Sequence, residues 1–429
     1  MFSAEKARGK KFPEFCQKLW EKLSSIPNLK PKDLEALASF LSIIKGETVE
    51  NITNILLTEI RLGKSQKEPG RSAYPDKQAK QRFITYLNTF DLSDDDMNQI
   101  DTAKIVKINL LGQALLVQKP KSIDKDLKEE LRDGVSFTGL ETAIQGEYKS
   151  QFFNKSTLAH IAKPDVLDVL QSLGINLVGA SNNHISDYGL PGIQGAIDEM
   201  KKRGMIFAGI GVNGEDAMKH ALFIDPKTGV KIALLSVVTG AIRFAERAKA
   251  IAGEGPGLNA IQRSDGRLNK DQVSKNIAAV QKAAKDADLV IFYHHNHYDT
   301  KADREMKMDE IADWWKEFSH QIIDAGAHIY ISHGSPVVQP YEIYNNSPVF
   351  YGEGNLFFQT RKPQAYAEGS WHSNIRKVKF LISDSPKPAH FIGLDTVELQ
   401  LNNSGKNDKD FDVSNNGLPS VVRKTRAKH

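Results

Sequence analysis

INLVGASNNHISDYGLPGIQGAIDEMKKRGMIFAGIG, residues 175–211, decides the fold. INLVGA is a short apolar run of strand length, and SNNHISDYG after it is a polar loop. PGIQGAIDEMKKRG carries apolar residues at three- and four-residue spacings and ends at Gly204, as a helix does. MIFAGIG returns to a strand. The same alternation continues on both sides from about residue 102. KIVKINLLG reads as a strand, SIDKDLKEELRDG as a helix opened by Ser122 and closed by Gly134, and VSFTGLE as the next strand. KPDVLDVLQSLG has Pro164 at its start and Gly174 at its end, the asymmetry of a helix. KIALLSVV, DLVIFY and HIYISH add three strands. Alternating strand and helix predicts a layered α/β domain.

Ahead of it the hydrophobic period is different. FPEFCQKLWEKL, KPKDLEALASFLSIIKG and ETVENITNILLTEIRLG are amphipathic helices, giving an all-α module over residues 1–63. Residues 64–101 hold a Pro- and Gly-containing linker, a connecting helix KQAKQRFITYLNTF, and SDDDMNQID, where Ser93 caps a turn. The α/β domain is expected over 102–397, and residues 398–429 as a mobile polar tail. No internal repeat is present.

Composition narrows the functional classes. Of 429 residues 40% are apolar and 26% charged, ordinary for a globular protein with a sizeable core. A net charge of +4 leaves no nucleic-acid footprint. The lone Cys16, beside Phe15 and Leu19, reads as helix packing and excludes both an intramolecular disulfide and a cysteine zinc site. MFSAEKARGKKFPEF lacks a secretory h-region, and no run approaches the ~20 apolar residues of a membrane span. The expected location is cytoplasmic, or outside by a route that needs no Sec signal.

Chemistry gathers at strand ends. In DLVIFYHHNHYDT, residues 288–300, an extended chain puts His295 and His297 on one face and His294 and Asn296 on the other. Glu141 follows VSFTGL; Asn182, Asn183, His184 and Asp187 follow INLVGA; His333 ends HIYISH. Ligands of such sheets bind at the carboxyl ends of strands. Carboxylate, amide oxygen and imidazole together suit zinc, manganese, iron or cobalt. Singly each has a plainer reading: Asn182 and Asn183 as turn residues, Glu141 as a solvated carboxylate. Two further motifs are set aside. GIGVNG, 209–214, fits G-x-G-x-x-G, but the segment after it is too short and broken to present a pyrophosphate. Trp314 and Trp315 lie on a helix with apolar neighbours and read as packing.

With those residues in place, LVGASNNHISDYG resembles the ANNHxxDxG segment of the CapA family, the capsule-synthesis proteins of bacterial poly-gamma-glutamate production. VSFTGLETAI is similar to that family's NLE strand end, and DLVIFYHHNHY to its strand ending in His. IIDAGAHIYISHGSPVVQPYEIYNNSPVFYGEGNLFF is similar to its IDAGAD, GH, Q-x-x-E-x-Y and YxxGN run, so the resemblance spans roughly 102–397. It implies a calcineurin-like metallophosphatase fold, a four-layer α/β/β/α sandwich. It also implies one or two divalent metals, manganese, zinc or iron, held by Glu141, Asn183, His295 and His333, with His184 as acid or anion contact; Asp187, three residues on, is placed to orient His184. Three positions depart from the pattern: Gln113 replaces a carboxylate, Gly139 an asparagine and Pro336 a histidine. Gln113 is a weaker ligand, and His297 is placed to offset Pro336.

The expectation is a metal-dependent hydrolase acting on an acidic polymer such as polyglutamate, or on a phosphate ester, through a metal-activated water. The rival is a binding module that keeps the fold without catalysis. In either reading the N-terminal helices can dock a protein partner.

Overall fold

The computed structural model describes residues 11–25, 31, 34–45, 48–64, 77–87, 89–90, 96, 100, 104–147, 160–240, 255–264, 266–296, 310–382, 389–403 and 413–422. The chain forms two compact units, Met1–Val106 with Phe380–Ile392, and Lys107–Lys379 with Gly393–His429.

The first unit contains α1 (Lys11–Ser25), α2 (Glu35–Lys45), α3 (Val49–Lys64) and α4 (Lys77–Leu87). Ile52, Leu56 and Ile60 recur every fourth residue along α3, so one face is apolar, and all three are fully buried. Trp20 packs on Phe83 with ring centroids 5.3 Å apart. Phe83 and Leu87 of α4 are also fully buried, which corrects the expectation of a module ending at residue 63 with α4 as a connector. The core of this unit takes in Leu381 as well, with Ile105 and Ile392 against it. Cys16 is buried there, the packing role its neighbours imply. The linker from 65 to 76 and Ser93 lie outside the described residues.

The strands, most of them in the second unit, are β1 (Lys104–Leu111), β2 (Val135–Gly139), β3 (Ile175–Gly179), β4 (Ile206–Ala208), β5 (Ala221–Ile224), β6 (Lys231–Thr239) and β7 (Ala260–Ile261). They continue with β8 (Leu289–Asn296), β9 (Ile329–His333), β10 (Tyr341–Tyr344), β11 (Ser347–Phe350), β12 (His372–Ile382), β13 (His390–Leu401) and β14 (Pro419–Val421). The helices are α5 (Lys125–Leu131), α6 (Asp165–Ser172), α7 (Gly189–Lys202), α8 (Lys270–Asp286) and α9 (Asp313–Asp324). One sheet runs β14-β13-β12-β1-β2-β3-β4; the other runs β7-β6-β8-β9-β11-β10, with β5 on β6. β1 to β4 are mutually parallel, as are β6, β8, β9 and β11, so the functional strands of each sheet end on one edge.

Side-chain alternation builds the layers. Val290, Phe292 and His294 turn outward beneath α8 and α9, whose Val280, Trp315, Phe318 and Ile322 cover them. Tyr293 and His295 turn inward, where Tyr293 lies 5.3 Å from Phe137 of the facing sheet. On the far side of that sheet α5, α6 and α7 bury Leu127, Val166, Leu170, Ile193 and Ile197. Helix, sheet, sheet, helix is the sandwich that the resemblance implies. Three local details differ from the expectations. Asp124, not Ser122, caps α5, because its carboxylate accepts the Asp126 N–H. Residues 419–421, expected in a mobile tail, pair antiparallel with β13, and Val421 packs against the core. GIGVNG leads into a single turn, Gly214–Ala217, with no helix long enough to present a phosphate.

The sheets approach closely because two residues lack a side chain. A Cβ at Gly179 would stand 2.1 Å from Tyr293 Cδ1, and one at Gly139 would stand 2.3 Å from the Tyr293 hydroxyl. Gly179→Ala is expected to destabilise the protein by about 1–3 kcal/mol, the range for overpacking. Combined with Tyr293→Ala, which removes every ring atom from that space, the substitution should lose most of that cost. Strictly additive losses in denaturant unfolding would mean that the ring does not set the spacing.

Candidate metal centre

The carboxyl ends of β2, β3, β8 and β9 deliver the polar groups. Past β3 the chain turns on Asn182, whose side-chain oxygen accepts the N–H groups of His184 and Ile185 at 2.8 Å each. Its amide donates to the Ala180 carbonyl at 3.0 Å and also to that of Leu140. Asn182 is therefore the turn residue, and Asn183 is left to face the other sheet. Asn183 Oδ1 lies 2.8 Å from His295 Nε2, which in turn is 3.8 Å from Glu141 Oε1. His184 Nδ1 is 2.8 Å from Asp187 Oδ2.

His294 occupies the opposite face, with Nε2 2.8 Å from Thr239 Oγ1 and Nδ1 against the Tyr330 hydroxyl. Burial pushes its pKa down to about 3, so it is a neutral packing residue. His297 lies outside the described residues. His333 is in register with His295 on the adjacent strand and packs at 5.3 Å from the Tyr293 ring. Burial pushes His333 down to about 3 against an opposing backbone interaction at Leu111, and among the described residues neither ring nitrogen pairs with another side chain. Gln113 is buried, and its side-chain oxygen accepts the Gly334 N–H at 3.1 Å. Pro336 offers only a carbonyl, which accepts from Asn355 at 3.3 Å.

Two residues of the site escaped the sequence reading. His160 stacks on His184 with ring centroids 3.9 Å apart, and its backbone N–H donates to Asp187 Oδ2 at 3.0 Å. A Glu141 carboxylate oxygen and nitrogens of His160 and His184 lie within 4.8 Å of one another. His160 precedes a two-residue strand, Ile161–Ala162, too short to mark a strand end in sequence. The other is Tyr293, which reads as strand core; its hydroxyl is 3.2 Å from His295 Nδ1.

Burial and neighbouring charge set the protonation of the acid and the imidazole. Desolvation raises Glu141 to about 7, with Asp187 adding to the rise and His184 opposing it. For His184 burial pulls the pKa down, but the hydrogen bond and charge of Asp187, with Glu141, outweigh it and the net shift is upward. A tetrahedron with metal–ligand bonds of ~2.1 Å has edges of roughly 3.4 Å. The 2.8 and 3.8 Å separations around His295 Nε2 bracket that length. Carboxylate, amide oxygen and imidazole are a donor set for zinc, manganese or iron, and the buried His333 nitrogens add further donors. The residues present fit a divalent ion.

The family of the bacterial capsule synthesis protein PGA_cap matches residues 90–360, more than half the chain. The chain belongs to the PGA_cap family. Among relatives, an uncharacterised protein of Sinorhizobium fredii is 25% identical over 281 residues, covering 52% of this chain and 59% of that protein. The PGA biosynthesis protein CapA of Bacillus subtilis is 28% identical over 192 residues, 44% of each chain. The capsule biosynthesis protein CapA of Bacillus anthracis is 26% identical over 204 residues, 46% of this chain and 43% of its own. The chain spans about half the length of the curated relatives it matches. This PGA_cap chain has no described helix long and apolar enough to cross a membrane.

A carboxylate must be ionised to bind a cation, and Glu141 is protonated below about 7. Affinity for manganese or zinc is therefore expected to hold from pH 8 to 7 and to fall tenfold per unit below. Chelator competition across pH 5.5–8 measures it. A flat profile down to pH ~5.5, as an ordinary carboxylate of pKa ~4.3 would allow, contradicts the burial of Glu141 as the controlling feature.

Proposed function

We propose that this protein is a metal-dependent hydrolase of capsule or polyglutamate metabolism, acting on a phosphoester or a gamma-glutamyl or acyl bond of an acidic substrate. The convergence of Glu141, Asn183 and His295 beside a His184–Asp187 pair carries the reading. Glu141, Asn183 and His295 would hold the ion, with His333, Gln113 and His297 as further candidates around it. A divalent ion bound there would lower the pKa of a coordinated water and polarise the phosphoryl or acyl oxygen.

The chain's own groups do the rest. Asp187 accepts a hydrogen bond from His184 Nδ1–H, which holds the proton on that nitrogen and would leave Nε2 to face the leaving group. The upward shift of His184 keeps a proton available near neutral pH, as a general acid requires. His160, stacked on the imidazole face, restrains the ring plane. An ion and a protonated His184 together give a cationic pocket suited to an acidic polymer such as polyglutamate.

A second reading rests on a specific observation. Gln113 stands where the resemblance places a carboxylate, and its oxygen is occupied by the Gly334 N–H. A site short of one charge is how a hydrolase becomes a binding module. In that case the helical unit, with Ile43 and Ile44 exposed on α2, would dock a protein partner.

His184→Ala separates the roles. The variant is expected to retain the metal content of the parent protein and to lose roughly 10²–10⁴ in rate on phosphate esters or gamma-glutamyl peptides. Loss of metal would make His184 a ligand instead. Absence of turnover by the unsubstituted, metal-loaded protein across both substrate classes would favour the binding module.

A further inference from the structure

The glycines that admit Tyr293 do more than set the spacing of the sheets. The Tyr293 ring occupies space taken from both Gly139 and Gly179 on the facing sheet, with Cδ1 over the latter and the hydroxyl over the former. Both vacancies are needed to bring that hydroxyl to the end of β8, where it stops 3.2 Å from His295 Nδ1. At Gly139 any side chain is excluded while the tyrosine stands, the asparagine suggested by the resemblance included. A hydroxyl from one sheet thus fills the place of a side chain on the other. His295 is fully buried, and its Nε2 faces Asn183 and Glu141.

We propose that Tyr293 is the positioning residue of the metal centre, its hydroxyl fixing the ring orientation of His295 so that Nε2 is presented to the ion and serving as either donor or acceptor to Nδ1. The inference rests on the metal-binding reading above and adds a residue to it. When Nε2 is a ligand the imidazole carries its proton on Nδ1, and that proton needs an acceptor in a buried setting. The Tyr293 oxygen is within reach to accept it. Without the hydroxyl the Nδ1–H would lose that acceptor, and the ring could turn about its own axis within the same packing. Groups in this position commonly change metal affinity by about 10–100-fold when removed.

The molecule supplies an internal control. Tyr330 is also fully buried and also contacts a histidine of β8, but through His294 on the outward face. Removing either hydroxyl takes one buried polar atom from the core and leaves the ring. The Tyr330 hydroxyl also accepts from Trp315 Nε1 at 2.9 Å, so if a lost hydroxyl acted only through general loosening, Tyr330→Phe would weaken binding at least as much as Tyr293→Phe.

The experiment is chelator-competition titration of the full chain with manganese and with zinc, each variant first checked for a cooperative thermal melt. Tyr293→Phe is expected to weaken affinity about 10–100-fold, while Tyr330→Phe stays within about twofold of the parent protein. Tyr293→Leu, which lacks both ring and hydroxyl, is the second variant should the phenylalanine form fail to fold, and it should show at least the same loss. Parent-like affinity in a folded Tyr293 variant overturns the proposal alone, as does a loss at Tyr330 equal to or greater than that at Tyr293. Failure of the parent protein to bind either ion overturns the metal reading and the proposal with it.

Discussion

Tyr293 stands between the two sheets, and the geometry of the site depends on the room it is given. Its ring reaches Phe137 and His333 and lies over the backbone at Gly139 and Gly179, so the facing strand ends are held at one ring's thickness. At that separation a side chain from the β3 turn can touch one at the end of β8, as Asn183 and His295 do. A wider gap would leave the amide and imidazole to water; a narrower one would expel the ring. Close packing resists both, because interiors tolerate neither voids nor overlap.

The consequence for charge is direct. Closing the sheets removes Glu141 from water, and a carboxylate without a compensating cation then prefers its proton. Fold energy and binding energy are therefore linked at this residue, since an ion that restores the charge returns what desolvation removed. The His184–Asp187 pair belongs to the same cluster, with the His184 side chain 13% exposed and Asp187 fully buried.

Much of this was legible in the sequence, for identifiable reasons. The alternation of short apolar runs with capped amphipathic segments reports the layers, because a two-residue and a 3.6-residue period cannot be confused over such lengths. The opposite facing of His294 and His295 follows from the same period. What escaped depends on contacts between segments distant in the chain. His160 belongs to a stretch with no periodicity and meets Asp187 and His184 across more than twenty residues of chain. Tyr293 looks like core because its polar atom is visible only once the facing glycines are known. The place of α4 inside the helical core and the pairing of residues 419–421 are long-range effects of the same kind. By residue type Asn182 and Asn183 are alike; the resemblance singles out Asn183, and the hydrogen bonds give Asn182 the turn and Asn183 the contact with His295.

The central claim is that Glu141, Asn183 and His295 form one metal centre. Anomalous scattering from crystals soaked in a zinc salt locates the ion directly. The account predicts a peak within roughly 2.0–2.3 Å of Glu141, Asn183 Oδ1 and His295 Nε2 together. Zinc bound only at other sites, with these three groups keeping the hydrogen-bonded contacts described above, would contradict it.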